Sequence, residues 1–154
     1  MSPLLIASDH AGFALKKKLL SYLDKKGISV KDLGTYSKER CDYPVYAHIL
    51  AKMISSGEAK QGILICKSGI GNSIAANRLS GVRAALCYNL KAAKLSREHN
   101  DSNVLVLGSA FVKVNLAKKM VTIWLNTKFL AGRHLKRIKL IDLVDKEIHI
   151  DTSR

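Results

Sequence analysis

The stretch Gln61-Gly62-Ile63-Leu64-Ile65-Cys66-Lys67-Ser68-Gly69-Ile70-Gly71-Asn72-Ser73-Ile74 decides how the chain is read. Four successive apolar residues, Ile63 to Cys66, fit a short strand covered on both faces, as in a parallel sheet. Gly69 and Gly71 let the following backbone bend so that several N–H groups point into one concavity, and a helix beginning near Asn72 adds the positive end of its dipole. Such a turn is an anion pocket. Cys66 stands where the strand ends and the pocket begins, which puts an ionisable thiol at its edge. The amides of residues 67 to 72 and the helix dipole push its pKa down while burial pushes it up, and the fixed donors are expected to win.

Working outward, the same alternation recurs on both sides. Leu4 to Ala7 is a short apolar run; Ser8-Asp9-His10-Ala11-Gly12 is a polar turn; Phe13, Leu15, Leu19, Leu20 and Leu23 then follow at helical spacing. Gly27 closes that helix, Ile28 to Val30 is extended, and residues 35 to 44 are polar and irregular. Pro44 suits the first turn of a helix running through Ala47, Ile49, Leu50 and Met53 to Ser55. Beyond the central stretch, the helix from Asn72 runs to about Arg78, a strand covers Val82 to Leu86, and Leu90 to Glu98 is helical and delivers His99-Asn100-Asp101 into a loop. Val104 to Leu107 is the next buried strand, a helix spans about Phe111 to Leu125, and Leu135, Ile138, Ile141 and Val144 form the apolar stripe of a last helix carrying Arg133 and Arg137 at i and i+4. That pair makes a guanidinium fork suited to phosphate.

Strand and helix alternating about five times with short connections predict a Rossmann-like, doubly wound α/β fold: a five-stranded parallel sheet with helices on both faces. Ligands bind such sheets beyond the carboxyl ends of the strands, so Asp9-His10, Cys66 to Gly71 and Gly108-Ser109 should face one crevice. With 154 residues, 47% of them hydrophobic, residues 1–154 are expected to form a single domain. No apolar run approaches the roughly 20 residues of a membrane span, and Asp9 interrupts the first one, so a soluble cytoplasmic protein is expected, with no membrane partner.

Cys41, Cys66 and Cys87 show neither a disulfide framework nor CxxC spacing, and His48, His134 and His149 have no partner at metal spacing, so no metal and no cofactor are assigned. The net charge of +14 suggests nucleic acid, but Lys16-Lys17-Lys18, Lys25-Lys26, Lys118-Lys119 and residues 133 to 139 fall mostly at solvent-facing helix positions, and aromatics are only 6% with no basic interleaving. Solvated helix faces are the reading adopted, and no nucleic-acid partner is expected. Neither GxGxxG nor GxxxxGK[ST] is present, so a nucleotide fold lacks support. Singly, each candidate has a bland alternative: Cys66 a core thiol, His99 a helix cap, Asp9-His10 a capped turn, Arg133 with Arg137 a solvated face.

Together, Ile6-Ala-Ser-Asp-His-Ala-Gly12, Asp42-Tyr-Pro44, Gly62 to Cys66 through Gly71, Ser73-Ile-Ala-Ala-Asn77, Ser96-Arg-Glu-His-Asn100 and Gly132-Arg133 to Arg137 resemble the type B ribose-5-phosphate isomerases over nearly the whole chain. Galactose-6-phosphate and allose-6-phosphate isomerases share the pattern. The resemblance implies a metal-free aldose–ketose isomerisation of D-ribose 5-phosphate through a cis-enediolate, in the non-oxidative pentose phosphate pathway. It implies Cys66 as the base, Ser68 and the amides from Lys67 through Gly69, Ile70 and Gly71 to Asn72 as the anion hole, and His99 as the ring-opening residue. His99 and Asn100 would come from a neighbouring subunit of a homodimer or tetramer with shared sites, the C-terminal helix lying at the subunit interface. His10, Arg133 and Arg137 would hold the phosphate, with Asp9 and Tyr43 lining the sugar. Two positions depart from the pattern: Lys67 replaces a residue that is usually Gly, and Ala110 replaces an Arg found in many relatives, with Lys113 nearby. Alternatives are a hexose-6-phosphate isomerase, or a non-catalytic sugar-phosphate or RNA-binding module.

Overall fold

A computed structural model describes residues 2–143. Five strands, β1 (Leu4–Ser8), β2 (Val30–Asp32), β3 (Gly62–Cys66), β4 (Ala84–Leu86) and β5 (Val104–Gly108), form one sheet in the order β2-β1-β3-β5-β4, with every neighbouring pair parallel. The crossovers are the helices α1 (Phe13–Lys25), α2 (Tyr43–Ser55), α3 (Ile70–Ala76) and α4 (Leu90–Asn100); α5 (Val114–Asn126) and α6 (Arg133–Asp142) follow the last strand. This is the expected doubly wound fold.

Side-chain alternation along the strands builds two cores. Leu4, Ile6, Ile63, Ile65, Leu105 and Leu107 point to the side covered by α1, α4 and α5, where Leu19, Leu23, Ala93, Met120 and Trp124 meet them. Leu5, Ala7, Leu64, Val104 and Val106 point to the side of α2 and α3, against Leu50, Ala51, Ile54 and Ala76. Because β1, β3 and β5 are buried along their whole length, each is an apolar run, and each buried Leu or Ile contributes on the order of 2 kcal/mol.

Several boundaries differ from the sequence expectation, each for a local reason. The third helix begins at Ile70 rather than Asn72, because Gly69 takes the left-handed conformation (φ +82°) and serves as the cap itself. It ends at Ala76 because the Asn77 side chain exchanges both amide hydrogen bonds with the backbone of Ala84, turning the chain into β4. β2 starts at Val30, two residues after the expected start at Ile28, and β4 at Ala84 rather than Val82. A turn in which Val112 N donates to Gly108 O delays the start of α5 to Val114. His99 and Asn100 belong to the last turn of α4, not to a loop; the helix stops one residue later at Asp101, in the left-handed region at φ +44°. Val144 and His149 lie outside the described residues.

Lys16 corrects the reading of its lysine run. It is 0% exposed, ion-paired with Asp32, bonded to the carbonyl of Thr35 at 2.7 Å, and its ammonium lies 5.3 Å from the Tyr36 ring centroid. The physical reason lies in helical phase: Lys16 precedes Leu19 by three residues and Leu23 by seven, on the core side of α1. Its charge fastens the chain after β2, which exchanges backbone bonds with Ser8 through Gly34 and Thr35.

Candidate active site

The turns after β1, β3 and β5 are stitched together at the carboxyl edge of the sheet. Asp9 N donates to Ile65 O, Ser109 N to Cys66 O at 2.9 Å, Ala110 N to Lys67 O at 3.0 Å, and Ser109 Oγ to Ala11 O at 2.9 Å. Tyr88 adds a hydroxyl bond to Ser68 O at 2.9 Å. Two glycines permit this approach: a Cβ on Gly108 would strike the Ser68 carbonyl, and one on Gly12 the Ile65 carbonyl.

Within that frame Cys66 is 4% exposed and its Sγ accepts the Gly69 amide at 3.1 Å. Gly69 is required twice over, by its φ and because a Cβ would press on Leu86 and on the backbone of Leu107 and Gly108. Ile70 N donates to Ser68 Oγ at 3.2 Å. Asn72 is 1% exposed, and its Oδ1 is buried with no protein partner. Asp9, 5% exposed, accepts the Gly12 amide at 2.9 Å. Tyr43 opens α2 and lays its ring against Gly71, leaving no room for a side chain there. His10 is tied to the Cys41 backbone, its Nδ1 lying 3.1 Å from Cys41 O and 3.2 Å from Cys41 N.

The Cys66 thiol is pushed up from its ordinary pKa, contrary to the sequence expectation. Burial is the largest cause; the amides of Gly69, Asn72 and Ser68 pull down, and the Asp9 carboxylate pushes up. The expectation let the fixed donors outweigh burial, whereas β3 is buried throughout and Asp9 adds a negative charge. Lys67 is exposed and is not among the charges acting on the thiol; Lys113, beyond Ala110, is likewise exposed.

The remaining candidates gather elsewhere. α4 returns the chain from the carboxyl end of β4 to the amino end of β5, and Asn103, three residues past Asn100, bonds through its carbonyl to Gly62 N at 2.9 Å. Gly62 opens β3 and Cys66 closes it, a rise of roughly 13 Å. His99 and Asn100 therefore lie toward the amino edge of this chain's own sheet. Arg133 and Arg137 join them: Leu130 N bonds to Glu98 O at 3.0 Å, and the His99 and His134 rings stack at 4.2 Å with an interplanar angle of 10°. Arg133 and Arg137 are exposed and have no ion-pair partner among the described residues.

Asp101 holds this second cluster to the body. Its carboxylate takes Arg97 at 2.7 Å and Arg83 at 3.3 Å, Arg83 reaches Asp142 of α6 at 3.6 Å, and Arg97 also donates to Ser102 O at 2.6 Å. Beneath it Trp124 Nε1 bonds to Ser102 Oγ, which meets Ser96 Oγ. Sequence reading missed His134, Asp101 and the Asn72 side chain. The Arg97–Asp101 spacing of four was the available signal for one of them; the His stack joins two helices and has no local signature.

The matched family model is described as Ribose/Galactose Isomerase and aligns with residues 4–141. The chain is 44% identical over 146 residues to "Ribose-5-phosphate isomerase B" of Escherichia coli, covering 95% of this chain and 98% of that one. A ribose 5-phosphate isomerase structure from Thermotoga maritima superposes with a TM-score of 0.90 at 50% identity, covering 93% of this chain and 99% of that one. A Mycoplasma genitalium ribose-5-phosphate isomerase B structure with bound ribulose-5-phosphate gives 0.89 at 41% identity, covering 95% and 97%. With a thiol and its amide donors at the carboxyl edge of a five-stranded parallel sheet, and with this match along nearly its full length, the chain belongs to the ribose/galactose isomerase family.

Proposed function

We propose that the protein is an enzyme interconverting D-ribose 5-phosphate and D-ribulose 5-phosphate through a cis-enediolate, as the names of its relatives imply. The observation that carries the reading is the Cys66 sulfur held by the Gly69 amide at the mouth of an anion-binding turn. Cys66 as thiolate takes the C2 proton and returns it to C1, while Ser68 and the amides from Lys67 to Asn72, among them Gly69, Ile70 and Gly71, receive the charge developing on the enediolate oxygens. Asp9 and Tyr43 border the sugar, and His10 holds the phosphate. His99 shuttles the proton that opens the furanose ring, Asn100 orients the sugar, and Arg133 with Arg137 grips the phosphate.

The active unit in this proposal is at least a homodimer, because His99, Asn100, Arg133 and Arg137 stand away from their own chain's Cys66 and serve a neighbour's. Two features support it: the opposed positions of the clusters along the sheet, and an apolar band beside the thiol turn in which Tyr43, Val45, Ile70 and Ile74 are 38%, 55%, 51% and 61% exposed. A cytoplasmic setting completes the proposal, since all three cysteines are free thiols, as a reducing compartment keeps them. The direct test is an assay of ribose 5-phosphate against allose 6-phosphate and galactose 6-phosphate, run without added metal or cofactor. The pentose phosphate should give the highest kcat/KM; a preference for either hexose phosphate overturns the substrate, and binding without turnover of any of the three overturns the enzyme.

A further inference from the structure

The imidazole of His134 is 8% exposed in the first turn of α6, stacked on His99 in the last turn of α4. A backbone hydrogen bond at one end of α6 and a side-chain ion pair at the other hold that register. Leu130, just before α6, bonds to Glu98, the residue before His99, and Asp142 at the far end of α6 faces Arg83. The charges facing His134 are Arg133 and Arg137 from its own helix and His99 from α4, where Glu98 is engaged by Lys94 at 3.3 Å. Burial first, then His99 and the two arginines, depress its pKa, so its ring is neutral at neutral pH.

We propose that His134 is a positioning residue for ring opening: a neutral aromatic plate that fixes the plane of the His99 imidazole and accepts its charged form against its π face. The proposal rests on the isomerase reading above. In ring opening, His99 takes the proton of the anomeric hydroxyl while the electrons of that O–H bond form the C1 carbonyl and the bond from C1 to the ring oxygen breaks. The imidazolium then returns one proton to the ring oxygen, so no proton is gained or lost. During that interval a cation lies on His99, and a stacked neutral ring is favourable to it where a second imidazolium would repel it.

The test compares the intact enzyme with His134→Ala, His134→Phe and His99→Ala, each checked for native melting. His134→Ala should lower kcat for ribose 5-phosphate about tenfold or more with KM changed little, as misplacement of a reacting group does. His134→Phe, which keeps the stack without the titration, should recover most of that loss. The ring-current shift of the His99 Hε1 resonance should disappear in His134→Ala and persist in His134→Phe. Wild-type kcat in His134→Ala overturns the proposal. So does a His134→Phe enzyme as impaired as His134→Ala while retaining the ring-current shift, or a change confined to KM, which would place His134 with the phosphate arginines. His99→Ala separates the two readings: full activity there removes the role of His99 itself, whereas loss there beside an active His134→Ala removes only the positioning.

Discussion

The amide of Gly69 donates to the Sγ of Cys66 at 3.1 Å, from a residue whose φ of +82° admits no side chain without strain. Turn geometry and thiol chemistry are thus fixed by the same glycine. Gly69→Ala should destabilise the fold by about 2 kcal/mol or more, from left-handed strain and from the pressure of a methyl group on Leu86 and β5. In the folded fraction the donor should shift off the sulfur and kcat should fall. A variant that melts and turns over like the wild type would show that the turn is not strained as described.

The buried charge of Lys16 makes a second, independent case. Lys16→Met keeps the volume but leaves Asp32 and the Thr35 carbonyl without their cation, so stability should fall by about 2–3 kcal/mol; Asp32 keeps partial access to water, which limits the loss. Because Gly34 and Thr35 bond to Ser8 beside Asp9, the turn that carries Asp9 should loosen as well. Denaturant titration of the single variant and of Lys16→Met with Asp32→Leu decides it. The double variant should recover part of the loss, and a silent single variant would contradict the account.

His134 gives the pH dependence of stability a sign. Its pKa is depressed in the folded chain, so below the ordinary imidazole value of about 6.5 the unfolded chain binds a proton that the folded one resists. Stability should therefore fall as pH drops through that value, and His134→Phe should flatten the slope. Parallel slopes for the two proteins would show that His134 does not resist protonation.

Mixed subunits test the shared site. An inert Cys66→Ala chain combined with an inert His99→Ala chain should regain part of the activity, because one kind of hybrid site carries both intact residues. No recovery despite demonstrated subunit exchange would place His99 and Cys66 of one chain in one site, against their separation along the sheet.

The fold was legible because β1, β3 and β5 are buried on both faces and so write themselves as Leu4–Ala7, Ile63–Cys66 and Val104–Leu107, with helical periods between them. The thiol turn was legible for the same reason: strand, glycines and helix are consecutive. What stayed hidden depends on residues that meet only in three dimensions. Lys16 sits in a run of three lysines whose core member is set by helical phase. Asp9 meets Cys66 across two strands and helps reverse the direction of its pKa shift. The His99–His134 stack joins α4 and α6 across a backbone bond, and nothing in either helix alone announces it.

The central claim is that Cys66 removes the C2 proton, and the measurement closest to it is loss of deuterium from C2 of [2-²H]ribose 5-phosphate, whether delivered to C1 of the ketose or to water. Since burial and Asp9 raise the thiol above its ordinary value, the wild-type rate at subsaturating substrate should climb about tenfold per pH unit across neutrality, with the thiolate fraction. Cys66→Ser, folded and still binding the sugar phosphate, should lose label at least about a hundredfold more slowly. Label leaving C2 at wild-type rates in Cys66→Ser would show that another group is the base.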